Sequence, residues 1–162
     1  MQRACIAIVD AARARVYRFS DVDGSQQFVE ELDLVSAGRR AKDNELFTES
    51  SPGTRNSGAG IRGGVDDHRD GHRAEMDSKF AAHVAREVER VAKEHGLGHV
   101  VFVTPPRMLG VVRPHLEVMR KHGLGVDEVE RDLSQLTAPQ IQDHLASLDM
   151  MEPRRRAVQP RR

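Results

Sequence analysis

Apolar residues fall along this chain in three rhythms, and each rhythm predicts a kind of element. Two runs are apolar without interruption, Ala4-Cys5-Ile6-Ala7-Ile8-Val9 and Val100-Val101-Phe102-Val103. Such runs have no polar face to give to water, so they predict central strands covered on both sides. Ala14-Arg15-Val16-Tyr17-Arg18-Phe19 alternates and predicts a neighbouring strand, with Asp21-Val22-Asp23-Gly24 as the hairpin loop after it. From Gln27 to Leu34, Phe28, Leu32 and Leu34 share one face that Glu30 interrupts, the pattern of an edge strand.

The third rhythm is helical. Met76, Phe80, Val84, Val88, Val91 and His95 step by fours and threes, predicting a helix over 74–95 with Gly96 as its stop. Beyond the strand at 99–104, Pro105 and Pro106 end the ladder because neither can donate a backbone hydrogen bond. Arg107 to Val112 predicts a short helix that bends or ends near Pro114, and helix resumes from His115 to Lys121. Val126 to Val129 predicts a short edge strand. Thr137-Ala138-Pro139-Gln140 is a capping box opening a last helix, with Ile141, Leu145 and Leu148 inward.

Right-handed crossovers turn this order into an α/β fold: a mixed five-stranded sheet of order 3-2-1-4-5, its second strand antiparallel, with helices packed on it. In that arrangement the chain resembles ribonuclease-H-like domains. Ligands of open α/β sheets bind beyond the carboxyl ends of the strands, so the Thr104-Pro105-Pro106-Arg107 turn marks the expected functional edge.

Every rhythm fails between Ser36 and Arg73. These 38 residues hold seven of the thirteen glycines, which predicts a long flexible loop of functional or disordered character. Within it Asp66-Asp67-His68-Arg69-Asp70-Gly71-His72 gathers three carboxylates and two imidazoles, so Asp66, His68 and His72 are candidate ligands for Zn or Mn. Arg69 and Arg73 intervene and no cysteine joins them, which favours a partner-ordered loop or a polar lead-in to the helix. Asp10 ends the first central strand, where ribonuclease-H-like nucleases hold a metal-binding carboxylate. Its partner acids are missing from strand 99–104, and turn formation is the simpler role. Arg107 is a candidate phosphate contact at a helix start, or else a structural tie of the turn to Asp132 or a neighbouring carbonyl.

Composition adds bounds. At 162 residues the chain predicts one domain over 1–150 and a short tail over 151–162. With no Trp and one Tyr the core is aliphatic, and the single Cys5 excludes an internal disulfide and fits a reducing compartment. No stretch reaches the ~20 apolar residues of a membrane span, nor is there a leader-like segment, so a soluble cytoplasmic protein is expected. Basic and acidic residues number 25 each, but the last ten residues hold five Arg and no acid. Residues 1–152 therefore carry 20 basic against 25 acidic side chains, a net of about −5. A basic, disordered arm on an acidic body is expected, with Arg154, Arg155 and Arg156 free for phosphates.

Four stretches carry a family resemblance: Ile8-Val9-Asp10-Ala11-Ala12-Arg13-Ala14-Arg15-Val16-Tyr17, Lys42-Asp43, Val103-Thr104-Pro105-Pro106-Arg107-Met108-Leu109-Gly110, and Asp132-Leu133 with Leu136-Thr137. They resemble the bacterial host-attachment proteins, labelled as required for attachment to host cells, over about residues 4–148. Where that family usually has Gly, this chain has Ala11. The family in turn is similar to the middle domain of archaeo-eukaryotic release factors and Pelota, whose long loop carries Gly-Gly-Gln. Here the corresponding stretch is Ile61-Arg62-Gly63-Gly64-Val65, without the Gln, so peptidyl-tRNA hydrolysis is not implied.

The resemblance implies a non-enzymatic, cofactor-free factor that docks on the ribosome or structured RNA. Arg62, Gly63, Gly64, Arg69, Arg73, Arg107 and the tail arginines would be its contacts. The rival expectations are a role in surface attachment, direct or regulatory, and a metal-dependent nuclease.

Overall fold

A computed structural model describes residues 3–38 and 65–155, the side chains of residues 65–69 aside. Three strands, β1 (Arg3–Val9), β2 (Arg13–Val22) and β3 (Ser25–Val35), form an antiparallel meander. The turn between β2 and β3 places Asp23 at φ 49° and Gly24 at φ 81°, the paired positive values of a tight hairpin whose twist matches its strands. Helix α1 (Val65–Glu94) then leads to β4 (His99–Thr104), α2 (Pro106–Lys121), β5 (Gly125–Glu130) and α3 (Ala138–Ser147). The sheet order is β3-β2-β1-β4-β5, with β1, β4 and β5 parallel, as the element order predicts.

The two apolar runs sit side by side in the middle, and alternate residues face opposite cores. Cys5, Ala7, Val9, Val100 and Phe102 lie under α1 and α2, against Val84, Val88, Val112 and Leu116. Ala4, Ile6, Ile8, Val101 and Val103 lie under α3, against Ile141 and Leu145. Burial of both faces is why neither strand carries a polar alternation. Cys5 is fully buried, and that burial, helped by the charge of Glu31, pushes its thiol up to about 12, leaving it an inert core group.

Four details differ from the sequence reading. Helix α1 begins at Val65 rather than Ala74, so residues 65–73 are helical, not loop. Its first turns, Val65 to Arg73, are polar residues with no apolar stripe, so periodicity has nothing to register there. Second, β3 does not keep Phe28, Leu32 and Leu34 on one face. A bulge opposite Val16 and Tyr17 pairs Tyr17 with Glu30 but Val16 with Leu32, leaving Glu31 extra. Phe28 therefore joins the α3 core, stacked on Tyr17 with ring centroids 4.6 Å apart, while Leu32 and Leu34 join the other.

Third, α2 runs unbroken through Pro114, whose ring costs one bond to the Gly110 carbonyl on an exposed side of the helix. Fourth, the chain beyond α3 is held rather than loose as far as Arg155. Met151 is buried in the α3 core, and Pro153 to Arg155 hydrogen-bond to the β2–β3 hairpin. Elsewhere the expectations match. Gly96 takes φ 60° at the end of α1. At the start of α3, Gln140 Oε1 accepts from the Thr137 amide at 2.9 Å and hydroxyl at 3.0 Å.

Both sheet edges are guarded by charge. On β3, Asp33 pairs with Arg13, Glu30 with Arg15 and Glu31 with Arg18. On β5, Glu128 receives Arg113 and Arg120. Such pairs discourage edge-to-edge association of exposed ladders.

Candidate functional site at the carboxyl edge

The parallel strands β1, β4 and β5 end together, and the three turns beyond them make one rim. The first turn is organised by Asp10, nine-tenths buried. Its Oδ1 accepts the amides of Ala12 at 2.6 Å and Arg13 at 2.7 Å, and its own amide donates to the Arg13 carbonyl at 2.9 Å. This is an aspartate side chain closing a tight turn into β2. The Ser36 amide donates to the Ala12 carbonyl at 2.9 Å, so the chain leaving β3 is tied to the same turn.

The second turn is Thr104-Pro105-Pro106. Pro105 caps α2 in an extended conformation, with no side chain satisfying the first amides and no acid in the first turn. That leaves the positive end of the helix dipole without a carboxylate from its own first turn. Arg107, in that turn, is exposed and makes no hydrogen bond or ion pair among the described residues. The Thr104 hydroxyl, at the end of β4, is fully buried without a hydrogen-bond partner.

The third turn follows β5. The Arg131 amide donates to the Thr104 carbonyl at 3.1 Å, stitching it to the second. Asp132 Oδ1 accepts the Ser134 amide at 3.1 Å and hydroxyl at 2.6 Å. Those two bonds, with the nearby charge of Arg107, hold its carboxyl below the usual range. Of the two roles open to Arg107, a bonded tie to Asp132 is thus not what the geometry makes: Asp132 is engaged by Ser134, and Arg107 acts on it only through space.

Above the rim stands the first half of α1. Arg3 of β1 donates to the His95 carbonyl at 2.8 Å, which pins the end of the helix to the amino edge of the sheet. A seven-residue strand spans ~23 Å and is matched by ~15 residues of helix, so the other half of this 30-residue helix overshoots the carboxyl edge. Burial agrees: full burial begins only at Phe80, and Met76 reaches across to Gly38 after β3.

The candidates from sequence divide accordingly. Arg107 lies on the rim and Arg73, exposed, on the overshooting helix, so the topology places both at the same end of the molecule. Asp66, His68 and Arg69 belong to the first two turns of α1, their side chains outside the described residues, and His72 is exposed one turn later. Arg62, Gly63, Gly64 and Arg156 lie outside the described residues. Arg154 and Arg155 are not at the rim and are not free: they pair with Asp143 and Asp21. Among the described residues no three His, Cys, Asp or Glu side chains are grouped to hold a metal ion. Glu75 of α1 pairs with Lys79. Arg131 was missed by sequence reasoning; only its position after a parallel strand could have singled it out, and its guanidinium bonds the Glu130 carbonyl at 2.8 Å.

Among the described residues no helix is long and apolar enough to cross a membrane. The family model described as "Protein required for attachment to host cells" matches residues 5–145. Comparison with curated proteins gives no significant match. Among solved structures, the chain is similar to an exopolyphosphatase from Cytophaga hutchinsonii, with 10% identity and a TM-score of 0.42. That match covers 80% of this chain and 34% of the other. A type II variant of the Aquifex aeolicus Ppx/GppA phosphatase gives 13% identity and a TM-score of 0.41, covering 80% and 36%. The chain thus spans about a third of the length of these structures, and likeness at this level carries no argument about activity.

Proposed function

The chain belongs to the family of proteins required for attachment to host cells, and from that premise we propose that it is a non-enzymatic adaptor whose carboxyl rim engages a polyanionic partner, structured RNA or the ribosome. The observation that carries this reading is Arg107: a guanidinium without a hydrogen bond or ion pair among the described residues, on the first turn of a helix that has no acid in that turn. A cation held there is placed to meet a phosphate rather than to brace the fold. The sequence between β3 and α1, residues 39–64, contains Arg39, Arg40, Lys42, Arg55 and Arg62 against Asp43, Glu45 and Glu49. The likeness to a release-factor middle domain without the Gly-Gly-Gln glutamine belongs to this proposal and gives it its choice of polyanion.

Asp10 supports the non-enzymatic part. One of its oxygens is committed to two backbone amides, a use that a turn requires and a two-metal nuclease site would compete with. A role in attachment follows the family's description and is compatible with an adaptor acting through regulation.

Co-sedimentation with ribosomes and binding of labelled RNA at low and moderate salt test the proposal. Arg107→Glu should weaken binding to every RNA sequence alike and lower the salt slope by about one. Wild-type protein that stays in the supernatant and leaves RNA unbound at low salt would end it.

A further inference from the structure

Far from the rim, a built seat holds the last described residues of the chain. Gln26 on the hairpin and Gln142 on α3 are joined, Nε2 of Gln142 donating to Oε1 of Gln26 at 3.0 Å. The same oxygen accepts the Arg155 amide at 3.1 Å, and Nε2 of Gln26 donates to the Pro153 carbonyl at 3.1 Å. One amide side chain thus reads both a donor and an acceptor of an extended backbone, as a neighbouring strand would. On either side stands an acid. Asp143 takes Arg154 in a two-pronged contact at 3.1 and 3.2 Å. Asp21 takes Arg155 at 3.1 Å and is itself 7% exposed. Gln142 is 4% exposed, so two of the four seat residues are buried polar groups.

Burial of the Asp21 carboxylate on the hairpin and the Gln142 amide on α3 costs free energy unless their partners are present. The seat is therefore specific for what occupies it: an extended segment with consecutive arginines. Met151, buried three residues earlier, anchors the segment without help from the charges. Both arginine side chains remain about half exposed, at 42% and 57%, so the grip on them is open to competition.

We propose that Asp21, Gln26, Gln142 and Asp143 form a recognition site for a basic peptide segment, occupied in cis by Pro153-Arg154-Arg155, and that this occupation withholds two arginines from anionic ligands. A phosphate group and these carboxylates want the same guanidinium faces, so a polyanion that uses the arginines must first draw them from the seat. The withholding rests on the polyanion reading above; the seat itself does not.

The test uses the full chain with D21N/D143N, which keeps side-chain shape but removes both charges and turns one acceptor oxygen of each into an amide donor. Exchange of the Arg155 amide should quicken about tenfold, and affinity for a fluorescein-labelled uridine 20-mer at low salt should rise about threefold or more. Arg154→Ala with Arg155→Ala, added to that variant, should return the 20-mer affinity to the wild-type value or below. Unchanged exchange at Arg155 would overturn the seat. Faster exchange with unchanged 20-mer affinity would overturn the withholding. If neither protein binds the 20-mer, the polyanion reading fails and the withholding with it, while the seat still stands or falls on the exchange rate.

Discussion

Helix α1 contains two regions of one secondary structure with opposite fates. From Phe80 onward it places Phe80, Ala81, Val84, Val88, Val91 and Ala92 against the sheet. From Asp70 to Lys79 its residues are exposed or at most half-buried, with local pairs such as Glu75–Lys79 and one long-range approach, Met76 to Gly38. Tertiary packing holds the first region and propensity with side-chain pairs holds the second. A scaffold that extends a helix past its own core puts that helix where it can meet something else.

The largest expected effect lies in the packed region. Phe80→Ala should lower unfolding free energy by about 3–5 kcal/mol in chemical denaturation, through lost burial and the cavity left under α1. A loss below about 1 kcal/mol would mean that the helix does not rely on the sheet as described. In the overhanging region the sign reverses. Gly71 lies inside the helix with nothing within 4 Å of an added Cβ, so Gly71→Ala should stabilise by about 0.5–1 kcal/mol. Helicity by circular dichroism and exchange of nearby amides would read it, and destabilisation would reveal a neighbour packed on that face.

Smaller still is the charge that ties α1 to α2. Glu89 accepts Lys93 at 2.7 Å and His122 at 2.6 Å, and the Lys93 bond above all holds its carboxyl below the ordinary value of 4.5. A depressed carboxylate contributes stability that is fully present above its unfolded pKa and is lost as pH falls through the folded one. Stability should thus be flat in this respect above about pH 5 and decline below about pH 4, less steeply in Glu89→Gln, which itself should cost under ~1 kcal/mol. The smallest change is expected at Lys79→Ala on the overhang, within about 0.5 kcal/mol by thermal melting. Equal responses at Glu89 and Lys79 would erase the distinction between the two regions.

How much of this was legible depended on whether burial left a periodic trace. The runs at 4–9 and 100–103, the stripe from Phe80 to Val91, and the Thr137–Gln140 cap were readable because each satisfies a local rule. The overhang at 65–73 was not, since a helix without an apolar face has no period to detect. The face of Phe28 was not either, because the bulge at Glu31 resets a two-residue alternation without altering composition. The place of Arg107 at the carboxyl edge was legible from the proline turn before it. The pairing of Arg154 and Arg155 was not: their partners Asp143 and Asp21 lie 11 and 134 residues away.

By itself, then, the sequence determined the order of elements, the two central strands and their place at the middle of a 3-2-1-4-5 sheet. Hydrophobic burial and chain connectivity are read directly from the order of residues. Only the tertiary structure decided which cations are free and which are spent. Among the described residues Arg107 stands unpaired at the rim, while Arg155 is held on a hairpin that chain order places far from it. A guanidinium carries the same charge wherever it stands in the chain, and what it can bind is set by the carboxylates that folding brings within reach.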